Sequence, residues 1–452
     1  MASKVPTPLA AMNRRLLTLS LETHPSAFTI MTWNTLAQVL VKRELFPYCT
    51  KGELKLKTRL HRLFDEVRHY RPSILCLQEV DRENWSTRWG PFLTELDYQW
   101  RYYGARDKRH GCCIAWRATD WHCLDYRRVD LDRTQVLANY EPAEVNVAQV
   151  VALVRRTDLP TPLATATTPG AEPEDPGHPN AFTSDVAWRS DRSVPVGARA
   201  LVVSNCHLYW HPQGVFTRLV QGLAVRQAVA EVNAVLGNRL PVVMAGDFNT
   251  LPDDPLYAVL HGHPLTPEIT ATLLTSIAQD PRLRTLQFDP ERQRYLCSPT
   301  TPGPDGQSEL PLASLLPVEQ QRDLVAALWA TTARTPPVTS AYRHYRRLDP
   351  AHYVPLDPAE RGEAVDIQYF YNEGTWSGEP RFSVYTEFCG LLDYLFVGSP
   401  APVRDQGSGL RVQALLSLPP ESRLLPALPN LTFGSDHLSL MAVLDFDSNP
   451  AP

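Results

Sequence analysis

The stretch NLTFGSDHLSLMAVL, residues 430–444, decides how the rest of the chain is read. LSLMAVL has the continuous apolar character of a strand shielded on both faces. Ser435, Asp436 and His437 stand directly before it, so an acid and an imidazole occupy the place where the strand begins. Asp436-His437 is either a polar strand cap or the last piece of a site, and the other strand ends bear on the choice.

FTIMTW ends in Asn34, and SILCL runs into Gln78-Glu79. ARALVVSNCHLYW carries His207, LPVVMAGDFNT ends in Asp247 and Asn249, and GLLDYLFVG contains Asp393. Singly, each has an ordinary explanation. Asn34 suits an Asx turn, Glu79 a pairing with Arg82, His207 a satisfied core position, and Asp247-Phe-Asn249 a turn after Gly246. Asp393 is different, because an unpaired carboxylate among apolar neighbours is costly and demands a partner. Taken together the polar strand ends indicate a site, since ligands of α/β sheets gather beyond strand ends.

The 452 residues are 43% hydrophobic and 21% charged, enough for a large core and against global disorder. A formal net charge of −5 excludes a non-specific coat on long nucleic acid and leaves room only for a local positive site. LKTRLHRLFDEVRHY predicts a helix with Leu56, Leu60, Leu63, Phe64 and Val67 on one face, stopping before Pro72. A second helix is predicted from about Val215 to Leu236, and DDPLYAVLHG opens a third with Asp253 as its cap. GCCIAWR and NVAQVVALVRR are further strands. The Pro- and Thr-rich residues 157–197 predict a long surface loop between two strands, and residues 285–337 a second insertion around helical VEQQRDLVAALWATT. Alternating strands and helices with short connections indicate an α/β fold. The expected organisation is a flexible 1–27, one catalytic domain over 28–446 and a tail at 447–452.

No apolar run reaches the roughly 18 residues of a membrane span, and there is no secretory h-region. Eight scattered cysteines without CxxC spacing argue for a reducing compartment and against structural zinc. A cytoplasmic or nuclear location is expected. The basic first 20 residues, with Lys4, Arg14 and Arg15 and no acid before Glu22, are a weaker sign of a mitochondrial address.

MTWNTLA, LCLQEVD, NCHLYWHP, MAGDFNTLPDDPLY, LLDYLFV and TFGSDHLSLMAVL stand in the order that resembles the endonuclease/exonuclease/phosphatase superfamily. HLYWHP and LPNLTFGSDHLSLMAV are most similar to its deadenylase-like branch, which holds nocturnin, Angel and the fungal Ngl exonucleases. The resemblance implies a two-layer β-sandwich core flanked by helices, with the site at one end of the paired sheets.

Cleaving an anionic phosphodiester needs positive charge on the non-bridging oxygens, an activated water and help for the leaving oxygen. The resemblance implies Mg²⁺, with Mn²⁺ as its substitute, held by Glu79 with Asn34 and Asp436 beside it. Asp247 then orients and deprotonates the water, and Asn249 donates its amide to a phosphate oxygen. His207 and His437 bond the other oxygens, and Asp393 orients and charges His437.

Pro212 and Phe388 stand where the branch sandwiches a terminal base. The substrate implied is a single-stranded, A-rich RNA 3′ end, degraded 3′→5′ to nucleoside 5′-monophosphates. The alternative is a phosphatase acting on a small phosphorylated (di)nucleotide. Arg218, with Lys108 and Arg109, stands either on the phosphate path or on a solvated face. No membrane partner and no leucine-rich-repeat docking module are expected. One departure stands out: KRHG precedes CCIAWR, placing His110 where many relatives carry an acid.

Overall fold

The apolar runs form two sheets in a computed structural model that describes residues 14–446. The residues outside the description are 20–25, 106–107, 132–139, 142–145, 161–180, 184–193, 238–239, 284–285, 290–293, 298–316, 333–334, 354–355, 357–364, 371–377 and 400–408. The strands are β1 (Leu16–Thr18), β2 (Phe28–Asn34), β3 (Ile74–Asp81), β4 (Tyr98–Tyr103), β5 (His110–Arg117), β6 (Trp121–Asp130) and β7 (Val147–Arg155). They continue with β8 (Ala181–Thr183), β9 (Ala200–His207), β10 (Val242–Asp247), β11 (Thr339–Ser340), β12 (Asp393–Gly398), β13 (Leu410–Leu416) and β14 (Leu440–Phe446). One sheet has the order β1-β13-β14-β2-β3-β5-β4-β8, the other β11-β12-β10-β9-β7-β6.

Each sheet contains one parallel pair, β2–β3 in the first and β9–β10 in the second; their other neighbours are antiparallel. A parallel pair needs a crossover. Helix α1 (Leu56–Tyr70) supplies it for β2–β3, and α2 (Val215–Val235) for β9–β10. The inner faces of the sheets meet in a shared core that includes Ile30, Ile74, Ile114, Val151, Val202 and Ala245. On the outer face of the first sheet Met31, Leu75 and Leu77 pack with Leu60, Leu63 and Val67 of α1. Strand residues alternate between faces, so strands covered on both sides must be apolar throughout. The result is a four-layer α/β sandwich.

The predicted helices form where the periodicity places them. α1 ends at Arg71, whose φ of +41° turns the chain into the left-handed region one residue before Pro72. Helix α3 (Pro255–Leu260) is capped by Asp254, not by Asp253. The Asp254 carboxylate accepts from the Leu251 amide (3.2 Å), and Pro255 fills the first helical position, where its missing N–H costs nothing. Part of the second expected insertion belongs to the core. Helix α4 (Pro267–Gln279) packs with α5 (Val318–Thr331), whose Val325, Leu328 and Trp329 are buried. Most of the first insertion lies outside the described residues; it joins the antiparallel neighbours β7 and β9 and carries β8 to the sheet edge.

The first sheet starts at β1, before the Phe28 boundary expected from the sequence. Strand β1 pairs with β13, and Arg14 just ahead of it is a buried anchor. Its guanidinium donates to Glu66 Oε1 of α1 (2.8 Å), to Ser439 Oγ (2.8 Å) and to the Ser417 carbonyl (2.8 Å). The run Leu16-Leu17-Thr18-Leu19 is too short to show a period, so it gave no sign of this docking. Among the described residues no helix is long and apolar enough to cross a membrane, and Cys49, Cys76, Cys112, Cys113, Cys123, Cys206 and Cys389 form no disulfide.

Removing one partner of a buried pair leaves the other charge uncompensated. Arg14→Ala is expected to lower the unfolding free energy by about 3–5 kcal/mol in a urea titration. An unchanged midpoint would mean that the segment before Phe28 is not docked.

Candidate active site

The two crossovers bring four polar residues to one corner of the sandwich. Asn34 ends β2, Glu79 lies near the end of β3, His207 ends β9 and Asp247 ends β10. The register continues across the second sheet, where His207 is level with Asp247, and Asp247 with Asp393 at the start of β12. The 435–437 segment is stitched to the end of β2: Ser435 Oγ donates to the Asn34 carbonyl (2.7 Å), and Trp33 Nε1 to the His437 carbonyl (2.9 Å).

Local backbone aims the acids. The β3–β5 register shifts between Leu77 and Val80, and Glu79 within this bulge has φ +54°. Such strain in a non-glycine residue persists only where its surroundings over-determine it. Gly246, at φ +148°, lets β10 close on β9; a Cβ there would lie 2.2 Å from the Cys206 carbonyl oxygen. The chain then turns through Asn249, whose amide N–H donates to Asp247 Oδ1 (2.9 Å).

The Asn34 amide joins the two sheets' acids. Its Nδ2 donates to Glu79 Oε1 (3.1 Å) and to Asp247 Oδ2 (2.9 Å), while its Oδ1 accepts from the Leu36 amide (3.0 Å). Glu79 Oε2 takes the Ala37 amide (3.0 Å). Beneath the corner, Gln78 Nε2 bonds Asn205 Oδ1 (2.7 Å), and Asn205 Nδ2 donates to the Leu77 and Cys113 carbonyls (both 2.9 Å).

The two imidazoles are in opposite states. Burial pushes His207 down to about 3 against the pull of Glu79, so it is neutral at pH 7. Its Nε2 lies 3.6 Å from Asp247 Oδ2 and 3.9 Å from Glu79 Oε1. Burial opposes the charge on His437 as well, but Asp393, Asp247 and Asp436 outweigh it and hold the imidazolium well above the ordinary histidine range. His437 Nδ1 is 2.8 Å from Asp393 Oδ2, and its Nε2 is 3.9 Å from Asp247 Oδ2. Asp393 Oδ2 also receives Ser383 Oγ (2.6 Å).

The acids divide in the same way. Burial and the neighbouring Asp393 push Asp247 up to about 7, against the pull of His437 and the Asn34 and Asn249 amides. Burial opposes ionisation of Glu79 too, yet His207, His110 and the Ala37 and Asn34 amides bring it down to about 2. The two amide hydrogen bonds do not depend on the charge of either histidine. Burial and the charge of Glu79 push Asp436 up.

Two groups are candidates for a cation. Ligand atoms of Asp247, Asp393 and His437 lie within 4.8 Å of one another. That trio, however, is already joined as acid, imidazole and acid, with Asp393 Oδ2 engaged by both His437 and Ser383. Glu79 suits a hard cation better, because it is a carboxylate held ionised beside a second acid, Asp436. Asn34 presents N–H donors to Glu79 and Asp247 while its Oδ1 accepts from the Leu36 amide, so in this geometry it orients both acids.

The structure thus gathers Asn34, Glu79, His207, Asp247, Asn249, Asp393, Asp436 and His437 in one corner. Asn249 Nδ2 donates to the Leu208 carbonyl (3.0 Å) with one of its two N–H bonds. Arg218 must be corrected. Its side chain is buried and donates to the His211 carbonyl (2.6 Å), the Pro212 carbonyl (3.3 Å) and Asp254 Oδ2 (3.3 Å). It clamps the Pro212 loop and does not line a phosphate path. Arg109 faces solvent and pairs with Glu83 (2.6 Å). Ser383, Ser435 and the Gln78–Asn205 pair were missed; polar side chains inside apolar strands were the available signal for the last two. The ring of His110 lies 6.2 Å from that of His207.

This corner belongs to a class of hydrolases that act on phosphodiester bonds. The Endonuclease/Exonuclease/phosphatase family model matches residues 31–437, and the chain belongs to that family. It is 26% identical over 442 residues to a probable RNA exonuclease of Schizosaccharomyces pombe, covering 93% of this chain and 77% of that one. It is 29% identical over 243 residues to the Saccharomyces cerevisiae protein named probable RNA exonuclease NGL3, covering 52% and 40%. Among solved structures, ANGEL2 with adenosine-2′,3′-vanadate aligns with a TM-score of 0.56 at 20% identity, covering 96% of this chain and 99% of that one. These relatives are of the deadenylase-like branch. Enzymes of the family generally use a divalent cation.

Asp393→Asn keeps an acceptor for His437 but removes the charge that holds it protonated. The expected loss in kcat on bis(p-nitrophenyl) phosphate is about 10²- to 10⁴-fold, with thermal denaturation checking the fold. A loss below about fivefold would mean that His437 does not depend on Asp393.

Proposed function

We propose that the protein is a Mg²⁺-dependent 3′→5′ exoribonuclease that releases nucleoside 5′-monophosphates and favours A-rich ends. The observation that carries this reading is where Pro212 and Phe388 sit. Both border the turn from Leu251 to Asp254 that follows Asn249. Pro212 is tied to that turn through Arg218 and Asp254, and Phe388 packs at Gly390, where Leu251 also lies. In this reading the terminal base stacks between them and its phosphodiester meets Asp247 and His437. Stacking on an aromatic ring contributes about 1–3 kcal/mol for any base, so adenine preference rests on further hydrogen bonds, with the Asn249 amide one donor.

Asp247, raised to about 7, is poised to take a proton from water near neutral pH. The imidazolium of His437 and the neutral N–H of His207 bond the oxygens on which charge develops. A bound Mg²⁺ supplies Lewis-acid charge at Glu79. The names of the fungal relatives support RNA as substrate. The small-nucleotide alternative gains less support, because Arg59 and Arg218 are buried and engaged by backbone carbonyls at Gly434, Thr35, His211 and Pro212.

Purified protein with Mg²⁺ is expected to shorten 5′-labelled RNA ending in A20 from its 3′ end, faster than U20 or mixed sequence. EDTA and Glu79→Ala abolish the ladder, and excess Mg²⁺ or Mn²⁺ restores the EDTA-treated wild type. Phosphate release from a phosphorylated dinucleotide or a 2′,3′-cyclic end, with no ladder, would overturn the exonuclease reading. Equal ladders on the three RNAs would remove only the adenine preference.

A further inference from the structure

Among the described Phe, Tyr and Trp residues only two are exposed, Trp210 at 65% and Phe370 at 43%, and both flank the proposed base clamp. Trp210 stands two residues before Pro212. Phe370 stacks on Phe388, with ring centroids 5.0 Å apart and planes inclined by 23°. We infer that these two rings are stacking platforms for bases upstream of the terminal nucleotide, extending the clamp into a single-stranded RNA path. This inference rests on the exoribonuclease reading above.

Both rings are held outward by their neighbours. In the His207–Pro212 segment Leu208 and Tyr209 are both buried, and Tyr209 is the inward aromatic residue. Its amide donates to Gln221 Oε1 (2.8 Å), and the Arg282 guanidinium lies 3.9 Å from its ring centroid. A Cβ on Gly214 would collide with the Tyr209 ring at 2.4 Å, so the glycine makes room for that packing. With Tyr209 inside and Arg218 holding the carbonyls of His211 and Pro212, Trp210 projects to solvent from a fixed backbone.

Phe370 is set by strand alternation. In the short strand Gln368–Phe370, Tyr369 turns inward and its hydroxyl donates to Glu421 Oε1 (2.5 Å). Phe370 therefore faces the other way. The strand runs parallel to Phe388–Gly390, with Phe370 level with Gly390. The missing side chain at Gly390 leaves space for the Phe388 ring, since a Cβ would lie 2.8 Å from Phe388 Cζ. One face of Phe388 is thereby covered by Phe370, and the outer face of Phe370 continues the stack.

Exposed rings on rigid supports lose little conformational freedom when a base stacks on them. Such stacking tolerates any base, which suits an enzyme whose strand moves on after each cut.

The test compares wild type, Trp210→Ala, Phe370→Ala and the double variant on A20 and on the dinucleotide ApA, by kcat/KM and by binding of labelled A20 in Ca²⁺. Each single variant is expected to lower the A20-to-ApA ratio of kcat/KM by about 5- to 100-fold and to weaken A20 binding. Trp210→Phe and Phe370→Tyr, which keep a ring, are expected to restore most of the ratio. An equal fall on both substrates would overturn the proposal, because the rings would then only support Pro212 and Phe388. An unchanged ratio would overturn it as well, with the exoribonuclease reading left standing. A wild type that neither cuts nor binds A20 overturns both.

Discussion

The Asn34 side chain is where the two sheets become one site. Its amide donates to Glu79 Oε1 at 3.1 Å from the end of β2 and to Asp247 Oδ2 at 2.9 Å on the facing sheet. Two carboxylates in a largely buried corner repel one another unless something neutral or positive stands between them. The amide supplies that donor while leaving the acids unequal, with Glu79 drawn down to about 2 and Asp247 lifted to about 7. Acids pushed apart in this way can take different tasks. Glu79 stays charged and suits a cation; Asp247 is near the point where it can exchange a proton.

The architecture explains why these groups meet. Each sheet carries one β-α-β crossover, and the end of each crossover delivers a polar residue to the same corner. Antiparallel β12 then places Asp393 level with Asp247, and the segment before β14 brings His437 onto Asp393. The Gln78–Asn205 bond beneath the corner fixes the spacing of the sheets where an apolar contact would let them slide. Asp436-His437 stands at this corner rather than on a solvated strand end, and LSLMAVL runs on from it into the sheet.

Much of this was legible because buried strands are continuous apolar runs, and a polar residue at their ends is conspicuous. Asn34, Glu79, His207, Asp247, Asp393 and His437 stood out that way, and Asp393 demanded a partner; that the partner is His437 was implied by the family resemblance. What was misread depends on long-range contacts that leave no periodic trace. Arg218 looks like any basic helix residue until its helix packs under the Pro212 loop, where it meets backbone carbonyls. Asp254 rather than Asp253 takes the cap position because Pro255 fills the first helical position, a cue the sequence already carried and that was not used. Arg14 precedes the first apolar run, yet finds Glu66 and Ser439 across the fold. Trp210 and Phe370 were invisible as exposed rings, because a sequence does not say which aromatic side chain its neighbours displace to the surface.

The measurement that tests this account most directly is a crystal structure of the protein soaked in Mn²⁺, with the ion located by anomalous scattering. The division of labour between Glu79 and Asp247 predicts one peak at the Glu79 carboxylate, on the side of Asp436, with the His437–Asp393 hydrogen bond intact. A peak enclosed by Asp247, Asp393 and His437, with that hydrogen bond broken, would contradict it.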